Sequence, residues 1–363
     1  MLMDVLRRLD RERFRSTVLA HGPAPGEFEP ELVRLGVPVR RLPSLGTLGY
    51  PGYVRALARF LRASGPFDVV HSHLDWQGGA VAAGSRLAGI HKVVAHSHAA
   101  SWSRRDGPVE RIHLAFCRLL LRTLASDAWA CSREAGEFLF DRRTMVSARF
   151  RIVRNAIDLD RFHPVDAASA ATRRAALGFP PDALVLGHVG SLSPVKNQAF
   201  LIDLAARLAA RGEPVRLLLV GEGPDRQALS RRAAARGIER EVVFAGSRPD
   251  VPEMLAVLDV FVFPSISEGL GLAAVEAQAA GIPCVVSDVV PGEADMNLGL
   301  FDRVPLDFEQ WERAIDRVRH ARRHDGGGIA RAIAARGYDA RGASAEVASL
   351  YEAVVARDRS TWI

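Results

Sequence analysis

DVFVFPSISEGLGLAAVEAQAAGIPCVVSD, residues 259–288, carries a whole supersecondary unit in one stretch. The opening DVFVF is apolar and rich in Val and Phe, as a buried strand requires. A turn containing Gly269 and Gly271 follows, then an alanine-rich segment of helical composition. Gly281 and Pro283 end that segment, and a second apolar run, CVVSD, begins. Strand, helix and strand in this order form a parallel βαβ crossover. Two carboxylates, Glu268 and Glu276, stand eight residues apart around the glycines. Eight helical residues turn by about 800°, which leaves two side chains roughly 80° apart. That geometry is poor for one shared metal ion. It suits two separate contacts, one before the helix and one inside it.

The same rhythm extends in both directions. ALVLGHVGS, VRLLLVGEG, EVVFAGS, DVFVFPS and PCVVSD read as five strands, each followed by a helix or turn. Upstream, STVLA, VPVRRLP, FDVVHSH, KVVAHSH, DAWACS and FRIVRNA read as a first series, with helix-like segments between most of them. IDLDRFHPVDAAS, residues 157–169, interrupts the alternation and reads as a linker. The expectation is an α/β chain of two tandem Rossmann-like domains, residues 1–160 and 161–340. Residues 341–363 hold an amphipathic terminal helix able to cross back to the first domain. A length of 363 residues agrees with two cores better than one. Ligands bind such sheets outside the carboxyl ends of the strands, which in two facing domains means the cleft between them.

Composition narrows the function classes. Hydrophobic residues make 48% of the chain and charged residues 25%, a globular balance. No run approaches 18 apolar residues, so no membrane-spanning helix is expected, and the start lacks the order of a signal peptide. Cys117, Cys131 and Cys284 are odd in number and far apart, which fits free thiols in a reducing cytoplasm. The net charge of +6 is uneven: residues 1–165 hold 25 Lys and Arg against 16 Asp and Glu, and the remainder 23 against 26. A basic first half fits an anionic partner such as an acidic membrane surface, or arginines on solvated helix faces. Nucleic acid is disfavoured: five Trp and four Tyr show no basic–aromatic interleaving.

The residues after each strand are the candidates. Gly190 gives a tight turn, and Lys196 precedes a helix, a combination suited to a diphosphate. Glu222 lies between Gly221 and Gly223 in a turn that either admits a ligand or only joins strand to helix. No complete G-x-G-x-x-G or P-loop motif is present. Gly269, Leu270, Gly271 and Leu272 leave backbone N–H groups bare at a helix start, a cradle for an anion. Glu268 and Glu276 flank it and accept hydrogen bonds from hydroxyls. Sugar, diphosphate and ribose in a row describe a nucleotide-sugar. Six of the eleven histidines cluster at 71, 73, 91, 96, 98 and 113. In HSH both rings share one strand face, but no Cys, Asp or Glu set completes a metal site, so no metal is assigned. His71 and His73 read as core or cleft-edge residues, and His98 as a cleft residue.

Gly190-x5-Lys196 and S-x-x-E-G-x6-E over Ser265–Glu276 resemble the GT-B glycosyltransferases of family 4. FDVVHSHL, VVAHSHA, RNAIDLDRF, GSLSPVKN, LLLVGEGP and VVFAGSRPDV match in order with the opening stretch, most closely to bacterial capsular and exopolysaccharide members. The resemblance covers nearly the whole chain, and the Glu268–Glu276 segment is its most specific part. It implies a retaining hexosyltransferase that uses a nucleotide-diphosphate sugar, a UDP-sugar by preference, and needs no metal or other cofactor. The acceptor it implies is a glycan or lipid-linked glycan in cell-surface polysaccharide biosynthesis. By the same resemblance Lys196 holds the diphosphate, Glu268 the sugar and Glu276 the ribose. Arg248 borders the base, and His98 faces the reacting sugar. The implied location is cytoplasmic, peripheral at the inner membrane face through the basic first half. Two departures stand out. The first strand and glycine-rich loop usual in the family are expected to be missing, and Ser191 stands where the family usually has a second cation. The alternatives are therefore a non-catalytic or impaired relative, and a nucleotide-sugar epimerase of the same fold.

Overall fold

Which strands pair with which follows from where the apolar runs fall. A computed structural model describes residues 2–22, 24–26, 28–99, 107–319, 321 and 326–357. It divides into two units: residues 1–156 with 340–363, and residues 157–339. In the first unit the strands are β1 (Val18–Ala20), β2 (Val39–Arg41), β3 (Val70–Ser72), β4 (Val93–Ser97), β5 (Asp127–Ala130) and β6 (Phe150–Ile152). β1 and β2 form one parallel pair, and β3-β4-β5-β6 form a parallel sheet. No ladder joins β1 to β3 among the described residues. The helix Ala340–Ala356 belongs to this unit and packs on the helix Leu2–Arg8. Its Val347 and Val354 share a core with Val5, Leu6, Leu9, Val94 and Trp129.

The second unit holds β7 (Leu184–Val189), β8 (Val215–Val220), β9 (Val242–Gly246), β10 (Val260–Phe263), β11 (Cys284–Ser287) and β12 (Phe301–Val304). All pair in parallel in the order β12-β11-β10-β7-β8-β9. β8 and β10 are almost wholly buried, which is why LLLV and VFVF read as strands without alternation. The sequence reading found five of these six strands. β12 escaped it because it is a four-residue edge strand with Asp302 and Arg303 in its middle, so its apolar signal is short and broken. The segment read as a linker is anchored instead: Ile157 and Phe162 are buried in the core of the second unit.

The order of β7 and β10 positions the site. The chain winds from β7 to β8 and β9 on one side, then crosses to β10, β11 and β12 on the other. The switch point lies between β7 and β10, the place where sheets of this kind take ligands at the carboxyl ends of their strands. The loops that flank it are Gly190–Asn197 and Pro264–Gly271.

The three cysteines are free and buried, Cys117 and Cys131 in the first unit and Cys284 in the second.

Candidate active site

The two switch-point loops are tied to each other. Ile266 N donates to the Val195 carbonyl at 2.9 Å. Asn197, held in the left-handed region at φ 53°, donates through Nδ2 to the Pro264 carbonyl at 3.2 Å. Lys196, one residue earlier, points its Nζ at Glu268 Oε1, 2.6 Å away. The same ammonium lies 4.9 Å from the centroid of the Phe263 ring. The lysine side chain keeps 22% exposure and the glutamate 10%. So the pair is largely shielded from water, where a charge-assisted contact is stronger than at the surface. Sequence reasoning proposed both residues for one ligand, and the fold brings them into contact.

The helix Leu272–Ala279 starts beside them. Its cap residue Gly271 takes φ 84°, and no side chain caps the first turn among the described residues. An added Cβ there would meet Val290 Cγ1 at 3.2 Å and Phe263 Cε1 at 3.3 Å, so the position demands glycine on two counts. The start of this helix, with the positive end of its dipole, follows Glu268 by four residues. Leu270 is buried in the core, which fixes the loop from below. Glu276 is half-buried one turn into the helix.

Neighbouring loops are zipped to the β7 loop by main-chain bonds. Gly190 N donates to Val220 O at 3.0 Å, Leu192 N to Glu222 O at 2.9 Å, and Gly221 N to Gly246 O at 2.8 Å. An added Cβ on Gly221 would lie 2.1 Å from the Gly190 carbonyl oxygen, and one on Gly223 2.3 Å from that of Leu192. These two glycines therefore serve backbone-to-backbone packing, and the alternative that they admit a ligand is not needed to explain them. Glu222 presents an exposed side chain between them. Arg248 follows β9, two strands from β7, roughly 10 Å away at the usual strand spacing. It is exposed and already forks onto Asp250, Nε to Oδ1 at 2.7 Å. It does not join the Lys196–Glu268 group. Ser191 is exposed, with its Oγ 3.3 Å from Ser193 Oγ.

Two supporting residues were not visible in the sequence. His188 is fully buried, with Nδ1 3.0 Å from the Val262 carbonyl, and burial pushes it down to about 4, so it is neutral. Gln198 Nε2 reaches both His188 Nε2 at 3.2 Å and the Ser191 carbonyl at 2.8 Å. Together they prop the β7 loop from beneath. A lone His inside an apolar strand and a Gln in a helix give no local sign of meeting.

The first unit gathers four histidines on one sheet face. β3 and β4 pair with His71 opposite Val94, so His71, His73, His96 and His98 project from adjacent strands on the same side. His71 Nε2 lies 3.2 Å from His96 Nδ1, and His73 Nδ1 2.9 Å from His98 Nε2. Tyr351 from the terminal helix bonds His71 Nδ1 at 2.6 Å. Asp75, in a left-handed turn at φ 45°, accepts from the His98 and Ala99 amides at 2.6 and 3.2 Å. Burial lowers His71, His73 (to about 3), His96 and His98, and the ring charges of neighbouring histidines lower the first three further. All four are neutral at pH 7. The sequence reading looked for a Cys or carboxylate to join the HSH pair; the fold sets a third imidazole, His96, beside it from the next strand.

Comparison with known proteins decides the family. Residues 169–326 match the family model described as Glycosyl transferases group 1, and residues 1–190 that described as Glycosyl transferase 4-like domain. EpsF of Bacillus subtilis (strain 168), which carries a glycosyltransferase name, is 34% identical over 362 residues, covering 99% of this chain and 94% of the relative. The chain belongs to the GT-B glycosyltransferases of family 4. A 2-deoxystreptamine glucosyltransferase of Streptomyces kanamyceticus is 32% identical over 241 residues, 61% of this glycosyltransferase and 60% of the relative. Among solved structures, Anabaena Alr3699/HepE in complex with UDP and glucose superposes with a TM-score of 0.78 at 21% identity, covering 97% and 95% of the two chains. Sucrose-phosphate synthase from Thermosynechococcus elongatus gives 0.77 at 20% identity, covering 98% and 92%. At these identities the likeness is one of fold.

Proposed function

We propose that this glycosyltransferase moves a hexose from a UDP-sugar, with retention at the anomeric carbon, to a glycan or lipid-linked acceptor of cell-surface polysaccharide. The observation that carries the reading is the Lys196–Glu268 pair beside an uncapped helix start at the switch point. Lys196 leaves Glu268 for the diphosphate when donor enters. The ammonium and the amides at Gly269–Leu272 then stabilise the charge that grows on the leaving phosphate. Glu268, released from the lysine, accepts hydrogen bonds from the sugar hydroxyls and orients them. Glu276 takes the ribose diol, Gly190 and Ser191 border the phosphates, and Glu222 and Arg248 lie toward the nucleotide side. His98 contacts the reacting sugar. The acceptor hydroxyl attacks on the face the nucleotide leaves, and a leaving phosphate oxygen takes its proton. In this reading the fold itself neutralises the diphosphate, and no metal takes part in transfer. The UDP and UDP-glucose complexes of Anabaena Alr3699/HepE support the choice of nucleotide.

A panel of UDP-hexoses, assayed for transfer with the product anomer read by NMR coupling, tests this. An α-product from an α-donor is expected, and an inverted product overturns the mechanism. Ser191, which brings a hydroxyl and no charge to the loop, favours a second reading, a donor-binding protein with little turnover. UDP binding without transfer, unchanged in Ser191→Arg, would select it, whereas a rate gain in that variant fits the enzyme.

We also place the enzyme at an anionic membrane face. No helix of the described residues is long and apolar enough to cross a membrane. The helix Pro108–Leu124 turns Ile112, Phe116 and Leu119 outward at 72%, 47% and 46% exposure, spaced as one helical stripe, with Arg111 and Arg122 exposed alongside. Apolar side chains flanked by arginines match an interfacial helix on acidic lipid. Changing Ile112, Phe116 and Leu119 together to serine is expected to weaken sedimentation with phosphatidylglycerol vesicles at least about tenfold, since each buried apolar side chain contributes of order 1 kcal/mol or more. Equal sedimentation of variant and parent rejects this surface.

A further inference from the structure

We propose that His71, His73 and His96 form a binding site for a borderline divalent transition-metal ion, zinc by preference. The three rings each offer one nitrogen, and the three nitrogens lie within 4.8 Å of one another. Zinc holds imidazole nitrogen at about 2.0–2.1 Å, so two nitrogens on a tetrahedral ion stand roughly 3.3 Å apart. His71 Nε2 and His96 Nδ1 already stand at 3.2 Å. The His73 ring centroid lies 4.1 Å from that of His71 and 5.2 Å from that of His96, and one of its nitrogens falls within the same 4.8 Å group.

The donor chemistry selects the ion. Three imidazoles with no carboxylate among them suit zinc, copper or nickel and not magnesium or calcium, which take oxygen. His96 is buried and His71 and His73 half-buried, and imidazole binds metal in its neutral form. A ligating histidine normally has its other nitrogen fixed by a partner, and Tyr351 OH at 2.6 Å does this for His71 Nδ1. A hydrogen-bonded ladder of histidines accounts for the two close pairs, His71 with His96 and His73 with His98. It does not require His71, His73 and His96 to converge on one point. His98 lies at the fourth side: its ring stacks on His96 at 4.3 Å, and its Nε2 is 2.9 Å from His73 Nδ1. His98 is given above to the reacting sugar, so water supplies the fourth ligand. All three ligands belong to the first unit. The inference does not depend on the proposed transfer reaction.

The test uses the full chain with any affinity tag removed and metal stripped by chelator. Calorimetric titration with zinc chloride is expected to give one equivalent at micromolar or tighter affinity. His71→Gln and His73→Gln should each lower that affinity at least about tenfold, while His163→Gln, an exposed histidine elsewhere, leaves it unchanged. Should either cluster variant fail to fold, X-ray absorption of the zinc-loaded parent chain decides: a first shell of three imidazoles is expected. No stoichiometric binding, equal affinity in folded cluster variants, or a first shell without imidazole overturns the site.

Discussion

Lys196→Ala is expected to reduce transfer from the donor by at least about 10²-fold while the protein stays folded. Removing one preorganised donor from a developing anion typically loses 10²–10³ in rate, and Lys196 is a side-chain cation on a switch-point loop. Its partner predicts a distinct pattern. Glu268→Gln keeps size and polarity but frees the lysine from its 2.6 Å ion pair. UDP alone should then bind as well or better, since no carboxylate competes for the ammonium. Transfer should still fall about 10²-fold, since the sugar loses the acceptor that orients it. A Lys196→Ala enzyme with near-normal turnover would sink the site. Equal losses of UDP affinity in both variants would show that the two act only as a structural pair.

Gly221→Ala is expected to be the most destabilising single methyl in the second unit. The added carbon would sit 2.1 Å from the Gly190 carbonyl oxygen, a main-chain atom that cannot rotate away, at a backbone φ of +131°. Overpacking and positive-φ strain each cost about 1–3 kcal/mol, so the sum is about 2–6 kcal/mol. For a unit of this size the melting temperature should fall by at least about 4 °C. Gly237→Ala is the control: its φ is +70°, but nothing lies within 4 Å of the added carbon. It should show the strain alone. If the two variants melt together, the contact between the β7 and β8 loops does not matter to stability. The Gly221 variant should also raise the KM for donor, because the loop pushed aside carries Lys196.

Why some of this was legible and some not comes down to range. LLLV and VFVF announce central strands because both faces are covered, and no polar residue interrupts them. FDRV, at the edge, carries two charges toward water and vanishes from the pattern. The loop after each strand could be read because a parallel sheet puts all such loops at one end. That logic placed Lys196 and Glu268 together across 72 residues of sequence. Arg248, expected to border the base, follows the edge strand β9, and its distance from the pair depends on strand order, which no local pattern supplies. The prop beneath the loop, His188 with Gln198, needs a tertiary contact that neither residue's local context suggests. The histidine face needed the register between β3 and β4, which no periodicity within either strand supplies.

The buried cysteines have one more consequence. Each unit carries its own thiol, sealed from water in the native fold: Cys117 and Cys131 in one, Cys284 in the other. A thiol reagent can reach them only through opening of the surrounding core. Peptide mapping of labelled protein therefore gives two independent clocks within one molecule. Added UDP should slow the Cys284 clock if the nucleotide binds beside its sheet, and the Cys117 and Cys131 clocks would tell whether the other unit senses that binding at all.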